Sequence, residues 1–444
     1  MTTAPPQPSA AATETATVEE LDYDGRGVAH IDGKAVFIEG ALPGERVRFR
    51  YGRRRKRYDL GYVVEVLASS PERIATPQCS YFGTCGGCSL QHLSPDAQVA
   101  AKERVLRDNL LHIGKVEPEH WLSPLRGPVW GYRRKARLGV RLVPKKGGIL
   151  VGFRERRRSF ITPLADCKTL DPRFARLLPQ LAQLVARLSC PERVPQIEVA
   201  AGDKAAALVF RHLTALSTSD LEQLRAFGET HAIQIYLQPR GPESVHALWP
   251  TNPPLLAYQI PEHDIEIQFG PIDFTQVNTA VNGLMVTRAL ALLEPQSGDT
   301  VVDLFCGLGN FTLPLARRVA RVIGVEGDPT LVQRAKHNAA VNRISNAAFH
   351  CIDLYSDVPA IAWDDIHGDK VLLDPPRSGA IEVIKQFPAH RPARIVYVSC
   401  YPATLARDSE YLVHALGYRL VSAGAADMFP QTSHMECIAL FVRD

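Results

Sequence analysis

The chain has 444 residues, 45% of them hydrophobic, and a formal net charge of +4. That length is enough for two or three packed domains. No apolar run reaches the ~18 residues of a membrane span, and the start, Met1 to Thr17, is an Ala, Thr and Pro stretch without a basic or apolar leader pattern. Membrane and secreted classes are disfavoured, and a cytoplasmic protein is expected. The charge is uneven: residues 1–270 carry 36 Lys and Arg against 29 Asp and Glu, and the remainder 15 against 18. A basic front half points to a polyanionic partner. Nine cysteines in a reducing compartment point to metal binding or catalysis rather than disulfides.

In chain order, residues 1–16 read as a disordered tail and 17–71 as a small β domain. Its short strands are punctuated by Asp24-Gly25-Arg26-Gly27, Asp32-Gly33 and Pro43-Gly44, turn and hairpin signals that suit a five-stranded OB-like barrel. Eight of the twelve residues from Arg46 to Arg57 are basic, interleaved with Phe49 and Tyr51 and followed by Tyr58. Basic and aromatic residues together on a barrel rim favour RNA binding over a merely solvated face. The patterns Asp24-Gly25-Arg26-Gly27-Val28-Ala29 and Leu42-Pro43-Gly44-Glu45 resemble the TRAM domain, an RNA-binding barrel.

Residues 72–264 read as a central α+β domain. Cys79, Cys85 and Cys88 stand in a C-x5-C-x2-C spacing, with Cys167 as a fourth candidate ligand. Four thiolates suit tetrahedral zinc or an iron–sulfur cluster, and spacing does not separate the two. Two basic and aromatic patches follow, Trp130 to Arg137 and Gly152 to Arg158. With Arg137 and Arg141 on one strand face, they suit an RNA groove.

Residues 265–444 form the catalytic part. Val301 to Leu304 is a buried-strand run carrying Asp303, followed by Phe305-Cys306-Gly307-Leu308-Gly309-Asn310 and a helical pattern. Strand, glycine turn and helix make the first unit of a doubly wound sheet, whose ligands bind at the carboxyl ends of the strands. Gly307 lets a ligand approach the backbone. The next strand patterns end in Glu326, suited to two ribose hydroxyls, in Asp353, suited to an adenine amino group, and in Asp374-Pro375-Pro376-Arg377. This succession resembles a Rossmann-like, class I S-adenosylmethionine (SAM) methyltransferase, with Gln276 placed to meet the methionine end of the cofactor. Cys400 follows the strand pattern Ile395 to Val398 and Glu436 precedes the last strand. A thiol and a carboxylate beside SAM suggest methylation at C5 of a pyrimidine, with Cys400 as the nucleophile at C6 and Glu436 as the base.

The motifs Phe274-Thr275-Gln276-Val277-Asn278, Asp303-Leu304-Phe305-Cys306-Gly307, Asp374-Pro375-Pro376-Arg377-Ser378-Gly379, Ser399-Cys400-Tyr401-Pro402 and His434-Met435-Glu436 together resemble the RNA uracil-C5 methyltransferases. Members acting on transfer RNA generally lack the barrel and the cysteine cluster. A chain with both resembles the branch that methylates one uracil of 23S ribosomal RNA. The resemblance implies a [4Fe-4S] cluster held by Cys79, Cys85, Cys88 and Cys167, and SAM bound by Gln276, Phe305, Asn310, Glu326, Asp353 and Asp374. It implies 23S ribosomal RNA as partner; from the sequence itself, no membrane and no obligate protein partner are expected. Tyr401 stands where the family usually has Asn, and Gln431 where His is common, departures expected to act on base positioning. Asp353 falls where the family varies. Rival readings are a transfer RNA uracil-C5 methyltransferase, an RNA amino-group methyltransferase, which would not need Cys400, and a non-catalytic RNA-binding factor.

Overall fold

The computed structural model describes residues 13–355, 366, 368–387 and 391–443. The expected tail lies outside them as far as residue 12. The chain forms two compact units, one of Met1–Phe82, Cys88–Val105 and Gln431–His434, the other of Gly83–Gly87, Leu106–Pro430 and Met435–Asp444.

The first unit holds six strands, β1 (Thr13–Thr17), β2 (Glu20–Leu21), β3 (Gly27–Ile31), β4 (Lys34–Glu39), β5 (Arg46–Arg54) and β6 (Tyr58–Ala68), in the order β1-β5-β6-β4-β3-β2. Five strands were expected, and the tail was expected to run through residue 16. Instead β1 pairs with β5, Thr13 opposite Arg50 through Thr17 opposite Arg46. Its alternating Thr residues are β-branched and fit a pleated edge, a signal that the Ala- and Thr-rich composition of the tail obscures. In β5 the period of two puts Val47 and Phe49 inward and Arg46, Arg48 and Arg50 outward. Phe49 packs on Gly61, where a Cβ would lie 2.6 Å from its ring.

Helix α1 (Pro95–His112) follows. Ser94 Oγ accepts from the Ala97 N–H at 3.3 Å and caps its first turn. A short strand, β7 (His120–Trp121), then leads into a second sheet of β8 (Lys135–Val143), β9 (Gly148–Gly152), β10 (Gln196–Ala201), β11 (Ala206–Arg211), β12 (Gln234–Gln238) and β13 (His246–Trp249), in the order β13-β12-β11-β10-β8-β9. Two α-helices lie between β9 and β10, α2 (Pro172–Ala175) and α3 (Leu178–Arg187), and α4 (Thr218–His231) opens on a Ser217–Asp220 capping box. Along β8, Leu138 and Val140 are buried while Arg137 and Arg141 are exposed.

β14 (Leu256–Ile260) and β15 (Ile265–Phe269) form a hairpin of their own, Leu256 opposite Phe269. Strand 265–269 therefore does not enter the large sheet, and the expected boundary after residue 264 falls inside this hairpin. Helix α5 (Thr279–Leu293), capped by Asn278, precedes the alternating units β16 (Thr300–Leu304), α6 (Thr312–Ala316), β17 (Arg321–Glu326), α7 (Pro329–Val341), β18 (Ala347–Cys351), β19 (Lys370–Leu373), α8 (Ile381–Lys385), β20 (Arg394–Ser399), α9 (Pro402–Glu410), β21 (Arg419–Ala426) and β22 (Glu436–Val442). The sheet order is β18-β17-β16-β19-β20-β22-β21-β7, with β16 to β20 parallel and β22 antiparallel to both β20 and β21. After β18 the chain returns to the other side of β16, so the topological switch point, where open α/β sheets bind ligands, lies between β16 and β19. No described helix is long and apolar enough to cross a membrane.

Candidate active site

A cavity of about 670 Å³ opens at this switch point. Gln276, Phe305, Gly307, Asn310, Glu326, Asp353, Asp374, Cys400 and Glu436 all line it. The sheet explains why. β16, β17, β18, β19 and β20 end side by side, so residues far apart in sequence arrive on one edge.

The turn after β16 is shaped for a ligand. Gly307 has φ +53°, and a Cβ there would meet nothing within 4 Å, because it would point into open space. Its N–H donates to Glu326 Oε2 at 3.1 Å, while Asp328 N–H donates to Oε1 at 3.0 Å. The two backbone donors fix the Glu326 carboxylate and leave lone pairs for hydroxyl donors. Phe305, also at positive φ (+67°), pairs with Tyr355 at 5.6 Å between ring centroids, and both rings face the cavity. Such a wall suits a flat heterocycle. Asp353 Oδ1 accepts from the Tyr355 N–H at 2.9 Å, which places the ring and the acid together. Beneath the turn, Asp303 is fully buried; Oδ2 accepts from Thr312 Oγ1 at 2.5 Å and Oδ1 has no partner. Burial pushes both Asp303 and Asp374 up to about 7.

At the other end of the cavity stand Cys400, Glu436 and Arg377. Burial, then the Glu436 and Asp374 carboxylates, push the Cys400 thiol up to about 11, and the Arg377 guanidinium opposes them. Glu436 is raised well above the carboxylate range by burial and Asp374, again against Arg377. Cys306 is buried within the apolar core and also borders the cavity. Tyr258, Tyr355 and Arg377 line the cavity without having been assigned a role from sequence. Arg377 lay within a quoted motif, but Tyr258 comes from the β14 hairpin and Tyr355 from a turn with no distinctive pattern. Of the two departures, Tyr401 is the N-cap residue of α9, with its N–H on Ser399 Oγ at 3.2 Å. Gln431 sits buried in the first unit, clasped by Gln98: Gln98 Nε2 donates to its Oε1 at 3.1 Å, and its own N–H donates to Gln98 Oε1 at 2.9 Å.

Cys79, Cys85, Cys88 and Cys167 are in no disulfide among the described residues. Gly87 N–H points at Cys85 Sγ from 3.4 Å, and Cys167 Sγ lies 3.5 Å from Thr169 Oγ1. Soft thiolates with a backbone donor on sulfur have the chemistry of iron–sulfur ligands. Among the described residues, however, no group of three or more His, Cys, Asp or Glu is arranged to hold a metal ion.

A second cavity, about 930 Å³, lies on the central sheet. Arg133, Arg137, Arg141, Arg154, Arg156 and Arg157 line it beside Gly86 and Gly87. Both basic patches of the central domain thus meet around one hollow.

A parallel sheet with one reversed strand, a glycine turn at its switch point and a thiol facing a carboxylate define a methyltransferase of the uracil-C5 class. Residues 255–444 match the tRNA (Uracil-5-)-methyltransferase family and residues 11–50 match the TRAM domain. The chain is 53% identical to the 23S rRNA (uracil(1939)-C(5))-methyltransferase RlmD of Azoarcus sp. (strain BH72), over 97% of this chain and 99% of that one. It is 54% identical to the protein of the same name from Nitrosococcus oceani, over 96% of each. The chain belongs to the family of these RlmD methyltransferases. Among solved structures, the tRNA (uracil-54, C5)-methyltransferase of Pyrococcus abyssi, in complex with S-adenosyl-L-homocysteine, shares the fold at a TM-score of 0.73 and 23% identity, covering 96% of this chain and 99% of that one.

Proposed function

We propose that this protein transfers a methyl group from SAM to C5 of one uracil in 23S ribosomal RNA, in the cytoplasm. The observation that carries the reading is the convergence of Cys400 and Glu436 on the cavity that also holds Glu326, Asp353 and the Gly307 turn. An amino-group methyltransferase has no use for that thiol. The activity of the RlmD relatives on 23S ribosomal RNA favours ribosomal over transfer RNA.

SAM supplies an electrophilic methyl group on a positively charged sulfur. Gln276, Phe305, Gly307, Asn310, Glu326, Asp353 and Asp374 are the residues we assign to hold it, with Glu326 on the ribose and Asp353 beside the adenine. The target base has to leave its stack to reach the cavity. Cys400 Sγ loses its proton to solvent and, as the thiolate, bonds to C6 of the uracil, and the C5=C6 electron pair moves toward O4, which makes C5 nucleophilic. After the methyl group has joined C5, the Glu436 carboxylate removes the C5 proton, the C5=C6 bond re-forms and the Sγ–C6 bond breaks. Arg377 offsets the cost of ionising both groups in a buried place.

We assign the outward arginines of β5 and the arginine-lined hollow of the central sheet to the RNA backbone. We also propose a [4Fe-4S] cluster on Cys79, Cys85, Cys88 and Cys167. This rests on the resemblance to the cluster-bearing ribosomal RNA branch, with which the four thiols and the backbone donor at Cys85 are compatible, and the methyl transfer needs no electrons from it, so its role is structural.

Methyl transfer from labelled SAM to unmethylated 23S ribosomal RNA and to bulk transfer RNA, with the product nucleoside identified by mass spectrometry, tests the reading. C5-methyluridine in ribosomal RNA alone is expected. Label in transfer RNA moves the substrate, and label on an amino nitrogen overturns the uracil chemistry.

A further inference from the structure

Asn310 lies at the edge of the cofactor cavity, and its side-chain amide is already almost fully used. Tyr258 Oη donates to Asn310 Oδ1 at 3.0 Å. Asn282 Nδ2 donates to the same oxygen at 2.8 Å, and Asn310 Nδ2 donates back to Asn282 Oδ1 at 3.0 Å. Both lone pairs of Oδ1 are taken, and one of the two Nδ2 protons is taken. One N–H remains, so the Asn310 side chain can meet a ligand only as a donor.

The two partners come from outside the alternating β–α units. Tyr258 sits on β14 and Asn282 in the first turn of α5, and both are buried. Burial raises the Tyr258 phenol above its ordinary value, so it stays a donor throughout the working range. A flip of the Asn310 amide alone would set its NH₂ against the Asn282 NH₂; a flip of both amides restores the pair but turns an NH₂ toward the buried Tyr258 O–H, which then loses its acceptor, so Tyr258 selects the orientation in which Asn310 Oδ1 accepts. The amino-acid end of SAM offers a carboxylate, which only accepts, and an ammonium, which only donates. A lone amide donor distinguishes them.

We infer that Tyr258 and Asn282 are positioning residues that lock Asn310 as a hydrogen-bond donor, so that this corner of the cavity recognises the carboxylate of the cofactor's amino-acid end rather than its ammonium. The inference rests on the assignment of this cavity to SAM. It adds to the site two residues that make no contact with the reacting atoms and act through Asn310.

The test is calorimetric binding of two ligands to the full-length protein: S-adenosylhomocysteine, and its decarboxylated analogue, which keeps the ammonium. Tyr258→Phe and Asn282→Ala are each expected to weaken S-adenosylhomocysteine about five- to tenfold, the loss typical of one hydrogen bond. Both leave the already weaker affinity for the decarboxylated analogue unchanged. Variants that weaken both ligands equally, or neither, overturn the inference while leaving the cofactor assignment standing, as does wild-type protein that binds the two ligands equally. Wild-type protein that binds neither overturns the assignment itself. Tyr258→Phe keeps the ring and its packing, and unaltered thermal melting of that variant separates a lost hydrogen bond from a lost fold.

Discussion

Cys400 and Glu436 are brought face to face by strand register. Ser399 at the end of β20 pairs with Cys437 near the start of antiparallel β22, and the next residue outward on each strand is Cys400 on one and Glu436 on the other. In the proposed mechanism the two groups act in sequence, so their substitutions differ in kind. Cys400→Ala is expected to abolish methylation and to form no covalent species. Glu436→Gln leaves the nucleophile intact but removes the base, so the Sγ–C6 adduct accumulates. Denaturing gel electrophoresis with labelled RNA should show a retarded protein–RNA band for Glu436→Gln and none for Cys400→Ala.

Arg377 is the cation that opposes the burial of this pair. With the Cys400 thiol pushed up to about 11, its thiolate fraction rises about tenfold per pH unit below that value. Iodoacetamide labelling of Cys400, followed by peptide mass spectrometry between pH 7 and 10, should rise with that slope. Arg377→Met removes a positive charge that favours the thiolate. Labelling should then be slower at every pH in the range, and methylation should slow with it. Equal labelling rates in the two proteins would show that Arg377 does not act on the thiol.

Much of this site is legible in the sequence because buried parallel strands read as short apolar runs, and a ligand site at their carboxyl ends leaves polar residues immediately after each run. Gly307, Glu326, Asp353, Asp374 and Cys400 are all found that way. Tyr258 and Asn282 are not, because they reach Asn310 from a separate hairpin and from a helix that precedes the alternating units. No local pattern announces neighbours set by tertiary packing. The Gln98–Gln431 clasp joins residues more than three hundred positions apart and is equally silent. β1 was missed for a different reason: an edge strand rich in Thr and Ala looks like a tail by composition until its partner β5 is known.

The arginine-lined hollow of the central sheet gives a prediction about RNA alone. Arg141 and Arg154 line it, and Arg141 lies on the exposed face of β8. Replacing both with Ala should raise the KM for ribosomal RNA several-fold. The slope of log binding constant against log salt should become shallower by about one to two, one for each phosphate that is no longer neutralised. Affinity for S-adenosylhomocysteine should not change. An unaltered salt slope would remove this hollow from the RNA surface.

Asp303 ties the cofactor turn to stability. Its carboxyl is pushed up to about 7 by burial, against about 3.9 in an unfolded chain. Between those values the folded state holds a proton that the unfolded state has released. Stability is therefore fully present below about pH 4 as far as this group is concerned, and it falls as pH rises toward 7. Asp374 titrates over the same window in the same direction. Asp303→Asn should remove roughly half of that pH dependence while keeping an acceptor for Thr312. Thermal melts from pH 4.5 to 7.5 measure it, and identical slopes in the two proteins would count against a neutral Asp303.

The cysteine set gives the last prediction. Protein purified without oxygen should be brown, with a broad absorption near roughly 400 nm and iron and sulfide in equal amounts. A zinc site would be colourless. Cys85→Ser should lose the colour and the iron. It should also lower the melting temperature, because Cys85 is buried and takes the Gly87 N–H. A structural cluster further requires that chemical reduction of the intact protein, with the fold checked by circular dichroism, leaves the methylation rate unchanged. A rate that follows the cluster's oxidation state at constant fold would show that the cluster takes part in the reaction.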